Sequence, residues 1–418
     1  MNKDVIKSII TAKQREILSI DLFERPVDIE ENMNYVFVGL RRAGKSYLLY
    51  QHIQMFVKTG RAAIEDILFV SFEDERLGDL KAKNLGLLLE AYQELHSRKP
   101  IVFLDEIQNI KGWEKFARRL ADSKYRVFIT GSNAQMLSKE IYTTMGGRFL
   151  VKEVFPFSFE EYLKFNKIHL SKNWEYNSDL CAKIVRFFKD YFYHGGFAEA
   201  FFLQDKRNYL NSLYQKILLG DILARNSIRN DSAIRILVKK LADSVLQPTA
   251  ANRLKNIISS TGVSISRNTL MDYLKFLEDS YLIFSISNYS DKLSDRETIK
   301  KRYFWDNGLL NIFLFDSDTK LLENMVAIKL KKIYGENLFY YRKNVEVDFF
   351  VPSEKRAIQV SYSIEDETSR EREIKALLKL SEVYFLKELE IITFSEDDTI
   401  TENGKMIKIV PIWKWLLR

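Results

Sequence analysis

The octapeptide GLRRAGKS at residues 39–46 is the feature that most constrains how this chain can fold. It matches the pattern G-x-x-x-x-G-K-[ST], and its flanks are the ones that the pattern requires. Residues 34–38 form a short apolar run typical of a buried strand, and residues 47–57 carry apolar side chains at helical spacing. A strand, a glycine-containing loop and a helix in this order predict a phosphate-binding loop.

The chemistry expected of this loop is the binding of ATP with Mg²⁺. Backbone N–H groups of such a loop surround phosphate oxygens, and the helix N-terminus adds partial positive charge. Lys45 is predicted to contact the β- and γ-phosphates, and Ser46 to ligate Mg²⁺. The residues predicted to bind the nucleotide are Gly39, Arg41, Arg42, Ala43, Gly44, Lys45, Ser46 and Tyr47.

A second apolar run, residues 101–104, ends in the carboxylates Asp105 and Glu106. A continuous apolar run is typical of a central strand in a parallel sheet, and ligands bind at the C-terminal ends of such strands. We predict that Asp105 holds the Mg²⁺ ion through its water shell and that Glu106 polarises the attacking water. In the alternative interpretation, the two carboxylates only cap the helix that follows.

Residues 127–133 are predicted to form another buried strand that ends in small polar residues. Here the chain resembles the AAA+ class of ATPases, whose fourth strand ends in a polar sensor facing the γ-phosphate. The resemblance assigns that role to Ser132 or Asn133. Either residue could instead N-cap the helix that is expected to start at Ala134.

Arg148 follows two glycines and precedes a strand predicted over residues 150–155. Its position suggests an arginine finger that stabilises transferred charge, supplied either in cis or by a neighbouring subunit. The second case would require a homo-oligomer. The alternative is a surface arginine at the start of a strand.

Composition narrows the class of protein. A chain of 418 residues predicts two to four domains. The formal charge of +7 permits contact with DNA without demonstrating it. The single cysteine, Cys181, cannot form an internal disulfide and favours a reducing, cytoplasmic location. Neither a signal-peptide core nor an apolar run of about 18 residues occurs, so no membrane segment is expected.

The middle of the chain is predicted to be helical. Residues 156–225 are expected to form a helical lid, and residues 226–298 to form a winged helix-turn-helix. Arg267, Asn268 and Thr269 would lie in the first turn of its recognition helix. Such a module either contacts DNA or binds a protein partner.

Over nearly its whole length the chain resembles one prokaryotic family: AAA+-like ATPases whose C-terminal domain was long catalogued as a domain of unknown function. The motifs that carry the resemblance are residues 39–46, Leu104-Asp105-Glu106, Thr130-Gly131-Ser132, residues 156–159 and Gly195-Gly196-Phe197. The C-terminal domain is similar to the PD-(D/E)xK restriction-endonuclease fold. In active members of that fold, acidic residues bind Mg²⁺ and a lysine orients the attacking water.

The resemblance places a nuclease-like site on Glu323, Glu346, Asp348 and Gln359. Ser361 stands where that fold carries its lysine, so oxygen ligands would hold a metal only weakly and hydrolysis would lose electrostatic stabilisation. Lys343 or Arg370 could substitute from elsewhere in the sequence. The departure favours a degenerate structural or DNA-holding domain over an active nuclease.

The predicted fold is α/β: a P-loop parallel sheet of AAA+ type, a helical lid, a winged helix-turn-helix and a restriction-endonuclease-like α/β domain. The expected domains are residues 1–155, 156–225, 226–298 and 299–418. The leading functional prediction is an ATP-hydrolysing switch or motor coupled to DNA or to a protein partner. The alternatives are an ATP-regulated DNA nuclease and a slow ATP-binding signalling scaffold.

Overall fold

The computed structural model describes residues 2–132, 146–228 and 231–418. The chain forms two compact units. The first comprises Met1–Pro156 with Asp279–Tyr281, and the second comprises Phe157–Glu278 with Leu282–Arg418. The boundary after Pro156 lies one residue from the first predicted division, at 155/156.

The first unit is an α/β fold in which helices and strands alternate from α1 to β4. Its strands are β1 Asn34–Val38, β2 Ile67–Ser71, β3 Ile101–Asp105, β4 Val127–Gly131 and β5 Phe149–Glu153. Its helices are α1 Lys3–Ser19, α2 Lys45–Lys58, α3 Gly86–Leu95 and α4 Glu114–Asp122. Short 3₁₀ turns lie at Ile64–Asp66, Glu75–Leu77, Ala82–Asn84 and Ile107–Asn109.

The described strands of this unit form a parallel sheet in the order β2-β3-β4-β1-β5. The predicted parallel sheet is therefore confirmed. β1 to β4 are buried along nearly their whole length, which explains why they appear in the sequence as apolar runs, whereas most of the edge strand β5 is only partly buried. Because β4 lies between β1 and β3, the carboxyl ends of these strands are neighbours. The loop after β1 and the acids after β3 thus meet at one edge.

Beyond Pro156 the described chain is helical at first and then mixed. Its helices are α5 Phe159–Phe165, α6 Ser178–His194, α7 Lys206–Lys216, α8 Asp231–Asp243, α9 Ala251–Ser260, α10 Arg267–Asp279, α11 Leu293–Thr298, α12 Asn307–Asn311, α13 Asp318–Tyr334, α14 Glu367–Val383 and α15 Ile412–Trp415. A π-helical segment, Ile217–Ala224, continues α7. Short 3₁₀ turns lie at Trp174–Tyr176, Ala198–Phe202, Gly335–Asn337 and Pro352–Glu354. Within the described ranges, no helix is both long enough and apolar enough to cross a membrane.

The strands of the second unit form one mixed sheet. They are β6 Thr249–Ala250, β7 Ile283–Asn288, β8 Ile299–Phe304, β9 Phe339–Arg342, β10 Glu346–Val351, β11 Arg356–Val360, β12 Glu388–Thr393, β13 Asp398–Glu402 and β14 Lys405–Pro411. Their order is β13-β14-β12-β11-β10-β9-β7-β8-β6. Antiparallel pairs join β6 to β8 and β8 to β7, and a parallel pair joins β7 to β9.

This continuous sheet corrects the predicted boundary between residues 298 and 299. β8 begins at Ile299 and pairs with β7, which lies on the other side of the proposed division. Since β7 also pairs with β9, hydrogen bonds connect the two predicted domains through one sheet. The predicted lid, winged helix and C-terminal domain belong to one compact unit.

Candidate nucleotide site and a carboxylate cluster

The loop at residues 39–46 leaves the end of β1 and enters α2. Gly39 has a φ of +150°, and a Cβ atom built there would lie 2.0 Å from the carbonyl oxygen of Val154. Only glycine fits this approach between the loop and the segment after β5. Gly44, at φ +94°, then turns the chain into the first turn of α2. The two glycines of the motif thus set the path of the loop.

Lys45 is buried at the start of α2. Its Nζ donates to the carbonyl oxygens of Gly39 and Leu40, each at 3.1 Å. The same atom is 3.7 Å from Glu106 Oε1. Lys45 of the loop and Glu106 at the end of β3, which are 61 positions apart in the sequence, therefore lie together.

Asp105 connects the ends of four elements through its carboxylate. Its Oδ1 accepts hydrogen bonds from Ser46 Oγ at 2.8 Å and from Thr130 Oγ1 at 2.7 Å. Its Oδ2 accepts from Ser71 Oγ at 3.0 Å. Residues from α2, β2 and β4 are thus held around the end of β3.

The surroundings of Asp105 affect its protonation and suit a hard cation. Burial raises the pKa of Asp105, and the nearby Glu106 carboxylate raises it further, while the three hydroxyl donors oppose the shift. A hydroxyl and a carboxylate oxygen are ligands that Mg²⁺ prefers, and a bound cation would favour the ionised form of Asp105. The donor set of Ser46 and Asp105 therefore fits Mg²⁺.

Glu106 adopts a left-handed backbone conformation, with φ at +52°. This conformation is uncommon for a residue with a side chain and costs free energy. It is held by a hydrogen bond from the Glu106 N–H to Thr130 Oγ1 at 2.9 Å. Gln108 Nε2 donates to Glu106 Oε2 and also to Ser132 Oγ, the latter at 3.3 Å. Ser132 thereby joins the same network, whereas Asn133 lies outside the described residues.

Sequence reasoning missed three residues that support this site. Thr130 and Ser71 hold Asp105, and neither was assigned a role in the site, although Thr130 lies in one of the motifs that carry the family resemblance. Arg25 donates from Nη1 to the carbonyl of Ala43 at 3.0 Å and from Nη2 to that of Phe155 at 3.1 Å. It joins the loop to the end of the first unit, and no motif in the sequence pointed to it.

The remaining predicted nucleotide-binding side chains belong to the loop or follow it directly. Arg41 pairs with Glu73 at 2.6 Å. Arg42 is exposed and has a φ of +64°, while Ala43 is buried. Tyr47 is exposed, and its ring centroid lies 5.8 Å from that of Tyr50. Their contacts with nucleotide stay predictions.

Arg148 lies at the N-terminal end of the parallel strands, opposite the end at which the phosphate-binding loop begins. It precedes β5, whose first residue, Phe149, aligns with Asn34 at the start of β1. The loop follows the far end of β1, about 15 Å away at the usual rise of a strand. Arg148 Nε instead pairs with Asp122 Oδ1 at 2.5 Å. An arginine finger acting in cis is therefore wrong for this residue, because parallel pairing directs it away from the loop.

In the second unit, the predicted nuclease-like acids surround a lysine that sequence reasoning did not select. Lys301 Nζ lies 3.3 Å from Glu323 Oε1, 3.4 Å from Glu346 Oε1 and 3.1 Å from Asp348 Oδ1. Burial opposes the charge on Lys301, but the three carboxylates raise its pKa above the usual value. For Glu323, burial raises the pKa to about 8, although the charge of Lys301 opposes that shift. We call these four side chains the Lys301 cluster.

The structure corrects the predicted substitutes for the missing nuclease lysine. Arg370 pairs with Asp398 at 3.1 Å, and the side chain of Lys343 is exposed. Ser361 Oγ donates to the carbonyl of Ser363 at 2.8 Å. The cation that contacts these acids is instead Lys301 of β8, a strand that is distant from them in sequence.

Comparison with protein families gives two matches. Residues 31–163 match the model of an AAA domain. Residues 185–320 match a domain of unknown function, DUF8612, and this match crosses both later boundaries that we predicted. The first match covers the loop, Asp105, Glu106 and Thr130, so it supports the AAA+-like interpretation of the nucleotide site.

Full-length relatives decide the family. The uncharacterized protein MJ1544 of Methanocaldococcus jannaschii is 35% identical, over 99% of this chain and 94% of its own length. This chain belongs to the MJ1544 family. An uncharacterized protein of Haemophilus influenzae is 28% identical over 92% of this chain and 94% of its own length.

Similarity to solved structures is distant. The Walker-type ATPase PABY2304 of Pyrococcus abyssi is 12% identical, with a TM-score of 0.38 over 73% of this chain and 94% of that one. The Orc1 protein of Aeropyrum pernix, solved in complex with DNA, has a TM-score of 0.29, with 12% identity over 79% of this chain and 94% of that one.

Proposed function

We propose that the first unit binds ATP and hydrolyses it with Mg²⁺. The observation that carries this proposal is the hydrogen bond of 2.8 Å between Ser46 Oγ and Asp105 Oδ1. It joins the phosphate-binding loop to the acidic end of β3. A chance match to the loop motif would not be expected to place its serine on an aspartate from another strand.

Each residue of the site has a separate role in this proposal. The Lys45 ammonium, which has three N–H donors, would donate to phosphate oxygens in place of the carbonyls of Gly39 and Leu40. Ser46 and Asp105 would hold Mg²⁺, and the ion would offset the negative charge that develops during phosphoryl transfer. The backbone N–H groups of the first turn of α2 would bind the phosphates.

Glu106 is the proposed general base. Its carboxylate would accept a proton from the attacking water, and its bond from Gln108 fixes the orientation of the carboxylate. Ser132, which accepts a hydrogen bond from the same Gln108, would sense the nucleotide at the end of β4. Asn133 remains the alternative sensor. A finger from Arg148 is proposed only in trans, which would require a homo-oligomer.

We further propose that hydrolysis is coupled to DNA or to a protein partner through residues 231–304. The succession of α8, β6, α9, α10, β7 and β8, with β6 paired to β8, supports a winged helix-turn-helix. Arg267 and Asn268 are exposed in the first turn of α10, and Ser266 caps that helix through the Thr269 N–H at 3.0 Å. Exposed donors at that position suit phosphate or base contacts.

The proposal is tested by phosphate release from purified full-length protein with ATP and Mg²⁺. Lys45→Ala is expected to reduce release at least tenfold, because it removes a contact to the β- and γ-phosphates. Arg61→Ala is the matched control: it removes an exposed cation that pairs with Glu31, away from the loop.

Adding duplex DNA to the same assay distinguishes the coupled partners. Stimulation that declines steeply with salt would indicate DNA contacts, since phosphate contacts release counterions. An unchanged rate would favour a protein partner. Wild-type release retained in Lys45→Ala would contradict the assignment of the nucleotide site itself.

A further inference from the structure

In the Lys301 cluster, the ammonium group of Lys301 lies where the three acidic side chains converge. The side chain of Lys301 is 1% exposed. Its Nζ donates to Asp348 Oδ1 at 3.1 Å and to Glu323 Oε1 at 3.3 Å. The ring of Tyr340 lies 5.7 Å from the same atom and screens it on another side. The ammonium is therefore enclosed by protein.

Neighbouring groups also donate hydrogen bonds to the carboxylates of Glu323 and Asp348. Tyr303 donates its hydroxyl proton to Glu323 Oε1 at 2.7 Å, and the Val360 N–H donates to Asp348 Oδ2 at 3.0 Å. Gln359 Oε1, the oxygen that a metal would require, accepts from the Asp348 N–H at 2.7 Å. Hydrogen bonds within the protein therefore engage Glu323 Oε1, both carboxylate oxygens of Asp348 and Gln359 Oε1.

These residues do not fit the divalent metal that the nuclease resemblance implies. Mg²⁺ requires oxygen ligands in octahedral geometry at about 2 Å, and Lys301 Nζ, at 3.1 to 3.4 Å from one oxygen of each carboxylate, occupies the position between them that the ion would take. Across the part of the chain that the structure describes, no group of three or more histidine, cysteine, aspartate or glutamate residues is suited to hold a metal ion.

We propose that Lys301 is a tethered cation that replaces the divalent metal ion in this cluster. The cluster is then an ion-pair lock joining β8, α13 and β10, and it excludes metal and does not cleave DNA. The lock belongs to the second unit and is independent of the proposed ATPase. Removing the ammonium while keeping the carboxylates should open a cation site.

Mn²⁺ binding to the nucleotide-free full chain, followed by electron paramagnetic resonance, tests this proposal. Lys301→Ala is expected to bind one more Mn²⁺ ion than the wild type, and adding Asp348→Asn to that variant should remove it. Lys300→Ala is the matched control, because Lys300 lies on the same strand but pairs with Glu297 at 3.4 Å. That variant should bind Mn²⁺ as the wild type does.

Thermal unfolding gives a second measurement, since unpaired buried carboxylates destabilise a fold. Mn²⁺ should raise the Tm of Lys301→Ala by several degrees and leave that of the wild type unchanged. A folded Lys301→Ala that gains no site would overturn the proposal.

If Lys301→Ala does not fold, the wild type and Asp348→Asn decide the question alone. Wild-type Mn²⁺ binding or DNA cleavage that Asp348→Asn abolishes would overturn the proposal, because a metal would then displace Lys301. Identical behaviour of the two proteins, without cleavage, would support it.

Discussion

At the scale of one residue, His52 is a titratable side chain whose protonation is disfavoured by burial in the apolar core of the first unit. It is buried on α2, and its ring centroid lies 5.9 Å from that of Phe37 and 6.2 Å from that of Phe128. Neither ring nitrogen has a hydrogen-bond partner among the described residues. Burial, and secondarily the charge of Arg126, lowers its pKa to about 4.

This shift predicts a dependence of stability on pH. The unfolded state, with a histidine pKa of about 6.5, binds more protons than the folded state as pH falls from about 6.5 to about 4. The free energy of unfolding should therefore fall over that window, by at most roughly 3 kcal/mol from this residue. Urea unfolding at several pH values should show a smaller fall in His52→Phe than in the wild type.

The exposed His169 offers the matched control for this measurement. His169→Gln should leave the slope of stability against pH unchanged. A slope in His52→Phe as steep as that of the wild type would contradict the assignment.

Whether a site residue could be predicted depended on the sequence immediately around it. Lys45, Ser46, Asp105 and Glu106 lie in motifs whose local order carries the chemistry, and the structure brings them together. Lys301 carried no such signal, because its sequence context of charged residues is typical of a solvated strand. Only the pairing of β8 beside β7 directs it towards acids from α13 and β10.

The turn between α6 and the following 3₁₀ segment shows how an element is positioned. α6 ends at His194 and is capped by Gly195, whose φ is +75°. The N–H of Gly196 donates to Asp306 Oδ2 at 2.8 Å, and its carbonyl accepts from the Phe157 N–H at 2.8 Å. A Cβ atom at Gly196 would lie 2.2 Å from the carbonyl oxygen of Phe157. The glycines quoted in the family resemblance therefore have a structural reason.

Gly196→Ala is expected to destabilise the second unit, because backbone atoms must move to admit the methyl group. Overpacking of this kind costs about 1–3 kcal/mol. Denaturant unfolding measures the loss. Gly220→Ala is the matched control, since a Cβ atom there meets nothing within 4 Å. Equal stability of the two variants would contradict the packing argument.

The elements that sequence reasoning missed lack an apolar pattern. β13 is an edge strand whose residues are mostly exposed, so no alternation marked it. β6 consists of only two residues, and its pairing with β8 depends on tertiary structure. Most other strands and helices were predictable because they bury apolar faces at a period of two or about 3.6 residues.

At the scale of the whole molecule, domain boundaries were the least predictable feature. The division after Pro156 follows the end of a parallel sheet, and the local change from strands to helices indicated it. The division predicted at residue 298 failed because β7 pairs in parallel with β9, a strand some fifty residues further along the chain. Such pairing between distant segments leaves no local signal in composition.

The proposed activity also makes a whole-molecule prediction, since an ATPase that serves as a switch must pass through an ATP-bound state. Glu106→Gln keeps the size of the side chain and its contact with Gln108 but removes the proposed base. Turnover should fall by about a hundredfold or more, the usual scale of general-base catalysis, while nucleotide binding is retained. Glu75→Gln, at an exposed site, is the control for charge removal.

The most direct measurement is therefore phosphate release from full-length Glu106→Gln with bound ATP quantified after gel filtration. We predict that this variant retains unhydrolysed ATP with Mg²⁺ and releases almost no phosphate, whereas the wild type and Glu75→Gln turn ATP over. Phosphate release by Glu106→Gln at the wild-type rate would contradict the assignment of a hydrolytic site at the end of β3.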